Sequence, residues 1–154
     1  MTEAPDGWSI RLARPSDLAE LVRLEQTCFS LPWSEDSLRR ELTANPSARI
    51  WVVETPASRL AGYAALWVVL EEGQINNIAV DPAWRRQGIG RLLLQTMSEA
   101  ARKEGLTVLF LEVRTGNLPA RRLYESLGFR AVGLRKGYYP DNGEDAIIML
   151  KNLI

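Results

Sequence analysis

Polar and apolar positions alternate along "WSIRLAR" (8–14), the period of a strand with one face in a core. The period then lengthens. "PSDLAELVRLEQTCF" opens with a Pro-Ser-Asp start signal and puts Leu18, Leu21, Val22 and Glu25 at helical spacing. After "SLPW", the run "SEDSLRRELTANP" predicts a second short helix with Ser34 as its N-cap. "ARIWVVET" (48–55) and "RLAGYAALWVVLEE" (59–72) predict two strands, and the second is almost wholly apolar, as in the middle of a sheet. "QINNIAV" (74–80) is a further strand, stopped by Asp81-Pro82. Ile89, Leu92, Leu93, Thr96, Met97 and Ala100 form one face of a long helix, which ends on Arg102, Lys103 and Gly105. "TVLFLEV" is a strand, and "NLPARRLYESLGF" is a helix with Leu123, Tyr124 and Leu127 on one side and Gly128 as its stop. "AVGLRKGYY" and "EDAIIMLKN" predict a closing hairpin turned by "PDNG". The order β-α-α-β-β-β-α-β-α-β-β, without repeats or linkers, predicts one mixed α/β domain over residues 1–154.

Composition narrows the chemistry. The formal net charge is +0, so no basic field advertises nucleic acid. Cys28 is the one cysteine; no internal disulfide is possible, and a reducing compartment is expected. The start "MTEAPDGWSIRLARP" has no signal-peptide pattern. No run reaches the roughly 20 apolar residues that span a bilayer. The expectation is a cytoplasmic protein with no membrane contact, and a monomer by default. The chain has no histidine, which excludes Ser/His and Cys/His catalysis and the commonest zinc ligand, so no metal is expected. A general base must then be a carboxylate, a tyrosine, a lysine or a relayed water.

One stretch asks for a ligand. "RRQGIGRLLL" (85–94) follows a strand and opens a helix, with two glycines where backbone N–H groups are bare and suited to phosphate. A dinucleotide fingerprint needs a third small residue where Leu93 stands, and the Lys-Ser/Thr of a nucleotide P-loop is missing. What remains is Arg85-x-x-Gly88-x-Gly90. A tight turn without a ligand has the same spacing. Arg85, Arg86 and Arg91, however, sit at a helix N-terminus, where cations are misplaced unless an anion offsets them.

"NNIAVDPAWRRQGIGRLLL" resembles the acetyl-coenzyme A signature of the GNAT N-acetyltransferase superfamily, Gln/Arg-x-x-Gly-x-Gly/Ala. "LPWSE", "LEVRTGN", "LYESLGF" and "GYYPDNGEDAIIM" are similar to one branch, which acetylates the N-terminal alanine of a small-subunit ribosomal protein, the eighteenth. The likeness runs from about Ile10 to Met149. It implies the GNAT fold, a central mixed and mostly antiparallel sheet flanked by helices. It implies acetyl-CoA as donor and a ribosomal protein tail as acceptor. By resemblance Ile78, Ala79 and Val80 lie in the strand that pairs with the pantetheine arm. Arg86, Gln87, Gly88, Ile89, Gly90 and Arg91 form the pyrophosphate loop, and Asn117 is a further cofactor contact. Glu112 matches the proton acceptor and Tyr124 the proton donor. Trp33, Tyr138 and Tyr139 belong to the acceptor end. "RTGN" stands where "RASN" is more usual, and the front differs in length, so the acceptor choice is less defined than the cofactor.

The bland alternatives remain beside these roles. Glu112 would be a wet-face carboxylate paired with Arg114 two residues on. Tyr124 would be a core tyrosine with its hydroxyl tied to backbone. Trp33 would anchor a surface loop, and Asp141, Glu144 and Asp145 would be a solvated turn. Asn76 and Asn77 mark a bulge, the peptide site or local backbone partners. Cys28 reads as a small buried side chain. Acetyl transfer needs a deprotonated amine, a donor to the carbonyl oxygen (the Val80 N–H is the natural one) and support for the departing sulfur. Deprotonating an α-amine at pH 7 costs about 1 kcal/mol, against roughly 4.6 kcal/mol for a lysine side chain, so one carboxylate suffices for an N-terminus. A transferase acting on another N-terminus, a lysine or a small amine, and a coenzyme A-binding module without turnover, are the rival readings.

Overall fold

The computed structural model describes residues 4–154; Met1–Glu3, the head of the segment with no signal-peptide pattern, lie outside the described residues. The elements are β1 (Ser9–Leu12), α1 (Leu18–Cys28), α2 (Glu35–Thr43), β2 (Ala48–Glu54), β3 (Leu60–Val69), β4 (Glu72–Val80), α3 (Ile89–Lys103), β5 (Val108–Arg114), α4 (Leu118–Ser126), β6 (Arg130–Arg135) and β7 (Ala146–Asn152). The order is the one the sequence predicts. Seven strands form one sheet, β1-β2-β3-β4-β5-β7-β6. Every pair is antiparallel except β4–β5.

The period-two pattern of β2 shows how the layers form. Ile50 and Val52 face α1 and α2, where they pack with Leu21, Leu24 and Leu38. Trp51 and Val53 face α3, where Ile89, Leu93 and Met97 cover them. β3 is buried on both faces from Leu60 to Leu66, which explains its unbroken apolar run. A Cβ on Gly62 would lie 2.6 Å from the Ala79 carbonyl oxygen, so this strand also needs a residue without a side chain. Ser34 caps α2 as expected, accepting the Ser37 N–H at 3.1 Å.

Two boundaries differ from the pattern. The expected strand to Glu72 breaks at Leu70 and Glu71, which turn between β3 and β4, with Leu70 in the left-handed region (φ 54°). The closing hairpin is real, but residues 136–145 connect it as a long loop, not a tight "PDNG" turn. Tyr138 and Tyr139 therefore lie in the loop rather than in β6.

The feature that matters for function is where β4 and β5 part. They pair only from Glu72 with Val108 to Ile75 with Leu111. β4 nevertheless runs on along β3 to Val80. At the parting point Ile75 opposes Leu66 and Asn77 opposes Ala65, leaving Asn76 as the extra residue of a bulge. The sheet opens into a wedge beyond it. Asp81 ends β4: its Oδ1 accepts the Ala83 N–H at 2.9 Å and its Oδ2 takes Arg23 at 2.6 Å.

Candidate active site

The wedge exposes backbone. Asp81 N–H donates to Ala61 C=O at 2.8 Å, so the 61–81 pair is hydrogen-bonded. Antiparallel alternation makes 63–79 the next bonded pair and turns residues 78 and 80 away from β3. The Ile78 N–H and C=O and the Val80 N–H thus face the wedge, where β5 no longer pairs. The Val80 C=O is used: Arg85 Nε donates to it at 3.2 Å and the Cys28 thiol at 3.5 Å. Ala79 is different from its neighbours. Its backbone goes to β3 and its methyl group into the α1 core.

The glycine loop lies at the far end of β4. Gly88 caps α3 with φ 80° and ψ 12°, a left-handed conformation that a glycine adopts at little cost. The first bond of the helix runs from Leu92 N–H to Gly88 C=O at 2.9 Å. The Ile89, Gly90 and Arg91 amides come before it and have no acceptor within the helix. A Cβ on Gly90 would meet Leu123 of α4 at 3.3 Å and Val80 at 3.8 Å, so the loop, the end of β4 and α4 converge. Arg91 reaches Ser126 of α4 at 3.0 Å. This is a place for an anionic group held on amides.

Gly105 offers a control for this loop. It has φ 89°, and nothing lies within 4 Å of the point a Cβ would occupy. Gly88→Ala and Gly105→Ala should each lose about 1–2 kcal/mol of stability from left-handed strain. Only Gly88→Ala should also lose acetyl-CoA affinity, measured by calorimetry. Equal affinity in the two folded variants would remove the loop from cofactor binding.

A cavity of about 720 Å³ fills the wedge around the bulge. It brings together Trp33, Ile78, Glu112, Asn117, Tyr124, Tyr138 and Tyr139. Ala79, Val80 and the 86–91 loop are not in its lining. The cofactor candidates therefore split between the cavity and the loop, with β4 between them.

Glu112 sits on β5 after the pairing with β4 has ended, which is why a carboxylate interrupts "VLFLEV". Its ion partner is Arg135 at 3.3 Å, and Glu112 is close enough to Tyr138 to push that phenol up. Arg114, the same-face partner expected from spacing, is taken elsewhere. It binds Asp141 at 2.8 Å and Glu144 at 3.3 Å and stacks 3.9 Å over the Tyr139 ring. Tyr124 packs edge-on against Phe129 at 5.9 Å. Its hydroxyl has no protein partner among the described residues, so the expected tie to backbone is absent. Burial, with a smaller contribution from Tyr139, pushes this phenol up to about 12. Asn117 caps α4, its Oδ1 accepting the Ala120 N–H at 3.3 Å.

The acidic turn is not a free acidic patch. Asp141 accepts from Ser30 Oγ at 2.6 Å as well as from Arg114, and the two hold its carboxyl down to about 2. Glu144 accepts the Gly116 N–H at 2.7 Å and Asp145 the Gly137 N–H at 2.8 Å. These bonds tie the 136–145 loop to β5 and to the loop after α1. Cys28 lines the cavity half-buried, and burial pushes its thiol up.

Comparison with known proteins fits this geometry. The model of the acetyltransferase (GNAT) family matches residues 18–129. The chain belongs to the GNAT acetyltransferase family. This acetyltransferase is 42% identical over 137 residues to the ribosomal protein bS18-alanine N-acetyltransferase of Escherichia coli K12, covering 87% of this chain and 90% of that protein. It is 39% identical over 144 residues to the protein of the same name from Salmonella typhimurium, covering 92% and 95%. The crystal structure of the ribosomal-protein-S18-alanine N-acetyltransferase from Escherichia coli superposes with a TM-score of 0.88 at 36% identity, over 95% of this chain and 94% of that one. The mixed sheet with its β4–β5 parting is thus the GNAT fold.

Proposed function

We propose that this acetyltransferase, acting as one domain over its whole length in the cytoplasm, transfers the acetyl group of acetyl-CoA to the N-terminal alanine of ribosomal protein bS18. The observation that carries the reading is the cavity at the β4–β5 wedge, where Glu112 and the free hydroxyl of Tyr124 meet beside unpaired β4 backbone. The names of its relatives support this acceptor.

The residues present fit acetyl-CoA. The Ile89–Arg91 amides would take its pyrophosphate, and the Ile78 backbone would pair with its pantetheine arm, leaving the Val80 N–H for the acetyl oxygen. The Asn76 Nδ2, buried without a protein partner, offers a further donor at the parting point. Bound there, the thioester would supply the acetyl group, its sulfur leaving as a thiolate that takes its proton from solvent. Glu112 takes the proton of the acceptor amine, directly or through one water. The Val80 N–H holds the carbonyl oxygen as its charge grows. Tyr124 donates a hydrogen bond to the sulfur. A full proton transfer from a phenol at about 12 to a thiol of ordinary pKa near 8.5 is uphill by roughly 5 kcal/mol, so stabilisation by a hydrogen bond is its role.

Thiol release from acetyl-CoA, followed across basic peptides that differ in their first two residues, tests the acceptor. An alanine-starting peptide should give the highest kcat/KM. An equal rate on every first residue, or release only with small amines, would set the reading aside.

A further inference from the structure

Beneath the acceptor side of the cavity lies a carboxylate that acetyl transfer as described does not use. Glu25 of α1 is 0% exposed, and no cation among the described residues pairs with it. All its partners are neutral donors. The Tyr63 hydroxyl donates at 2.7 Å, the Trp33 backbone N–H at 2.8 Å, and Asn77 Nδ2 lies 3.2 and 3.1 Å from the two oxygens. Asn77 Nδ2 also reaches the Tyr63 hydroxyl oxygen at 3.0 Å.

These partners come from three elements. Tyr63 is in β3, Trp33 is in the loop between α1 and α2, and Asn77 follows the β4 bulge. Trp33 and Asn77 line the cavity, whereas Glu25 and Tyr63 do not. Stability alone does not ask for an acid here. Position 25 continues the buried face of Leu21 and Leu24, where an apolar side chain would avoid desolvating a charge. Burial pushes the Glu25 carboxyl up, and its three donors pull against that. What the acid adds is geometry. The loop from Phe29 to Ser34 has no strand or helix to hold it. One oxygen of Glu25 fixes the Trp33 backbone, and the same carboxylate fixes Asn77 across the groove.

We infer that Glu25 is a positioning residue for the acceptor peptide: it holds Trp33 and Asn77 on the cavity wall at the spacing the peptide's N-terminus requires. The inference rests on the N-terminal acetyltransferase reading. The network includes neither the glycine-loop amides nor the unpaired Ile78 and Val80 backbone, so acetyl-CoA binding should be indifferent to it.

The test is a steady-state comparison of wild type, Glu25→Gln and Asn77→Ala on an alanine-starting basic peptide at saturating acetyl-CoA. In Glu25→Gln one acceptor oxygen becomes an NH2 that faces donors. Peptide KM should rise about tenfold or more, a loss within the range of a misplaced buried hydrogen bond, with kcat little changed and acetyl-CoA Kd unchanged. Asn77→Ala leaves the Tyr63 and Trp33 bonds intact and should raise KM in the same direction; it decides the matter if Glu25→Gln does not fold. A purely structural role would lower Tm and the active fraction, hence apparent kcat, at constant KM, and that result in the folded variants overturns the inference. Wild-type protein inert toward the peptide would instead overturn the N-terminal acetyltransferase reading beneath it.

Discussion

Glu112→Gln should lose about 10²- to 10⁴-fold in turnover below pH 7, the usual contribution of a positioned general base. The loss should shrink as pH rises. An α-amine of pKa about 7.7–8.0 is mostly protonated at pH 6 and mostly neutral at pH 9, so above pH 8 solvent has already done the work of the carboxylate. The sign follows from the substrate, not from a titration of the enzyme. Folding should change little, because the side chain's ion partner, Arg135, lies on the exposed edge strand β6. The measurement is a pH–rate profile at saturating peptide. A constant fractional loss across pH 6 to 9 would show that Glu112 does not remove the proton.

Tyr124→Phe should behave in the opposite way. The lost interaction is a hydrogen bond to a sulfur that gains charge in the transition state, worth about 1.5–3 kcal/mol, or roughly 10- to 150-fold in rate. The loss should be flat across the accessible pH range, because burial pushes the phenol up to about 12 and it stays protonated throughout. The hydroxyl has no protein partner to lose and the ring keeps its packing on Phe129, so stability should hold. Acetyl-CoA Kd should hold too. Near wild-type rates at every pH would return Tyr124 to a packing role.

The sequence carried most of the fold because local signals and tertiary packing agree in it. The continuous apolar run of β3, the Ser34 cap and the Gly105 stop each state their own structure. Side chains that reach across the chain were not legible in the same way. "PDNG" has the composition of a tight turn, yet Asp141, Glu144 and Asp145 spend their carboxylates on Ser30, Arg114, Gly116 and Gly137 and hold a ten-residue loop open instead. The same capture took Arg114 away from Glu112, leaving that acid to Arg135. Glu25 gave one signal, an acid on the stripe of Leu18, Leu21 and Val22. Helical spacing alone recorded it as part of the face. Its partners in β3 and β4 are 38 and 52 residues away. Asn76 and Asn77 were visible as unusual strand residues, and the bulge they form opens the site.

Everything proposed for the site turns on the acceptor being a peptide α-amine. A basic peptide with a free N-terminal alanine and several internal lysines, acetylated to partial completion by the wild-type protein at pH 7, puts both kinds of amine in one reaction. Fragmentation mass spectrometry then locates the group. Acetyl should be found on the alanine nitrogen, with the lysines unmodified; acetyl found mainly on lysine side chains would refute the α-amine as acceptor.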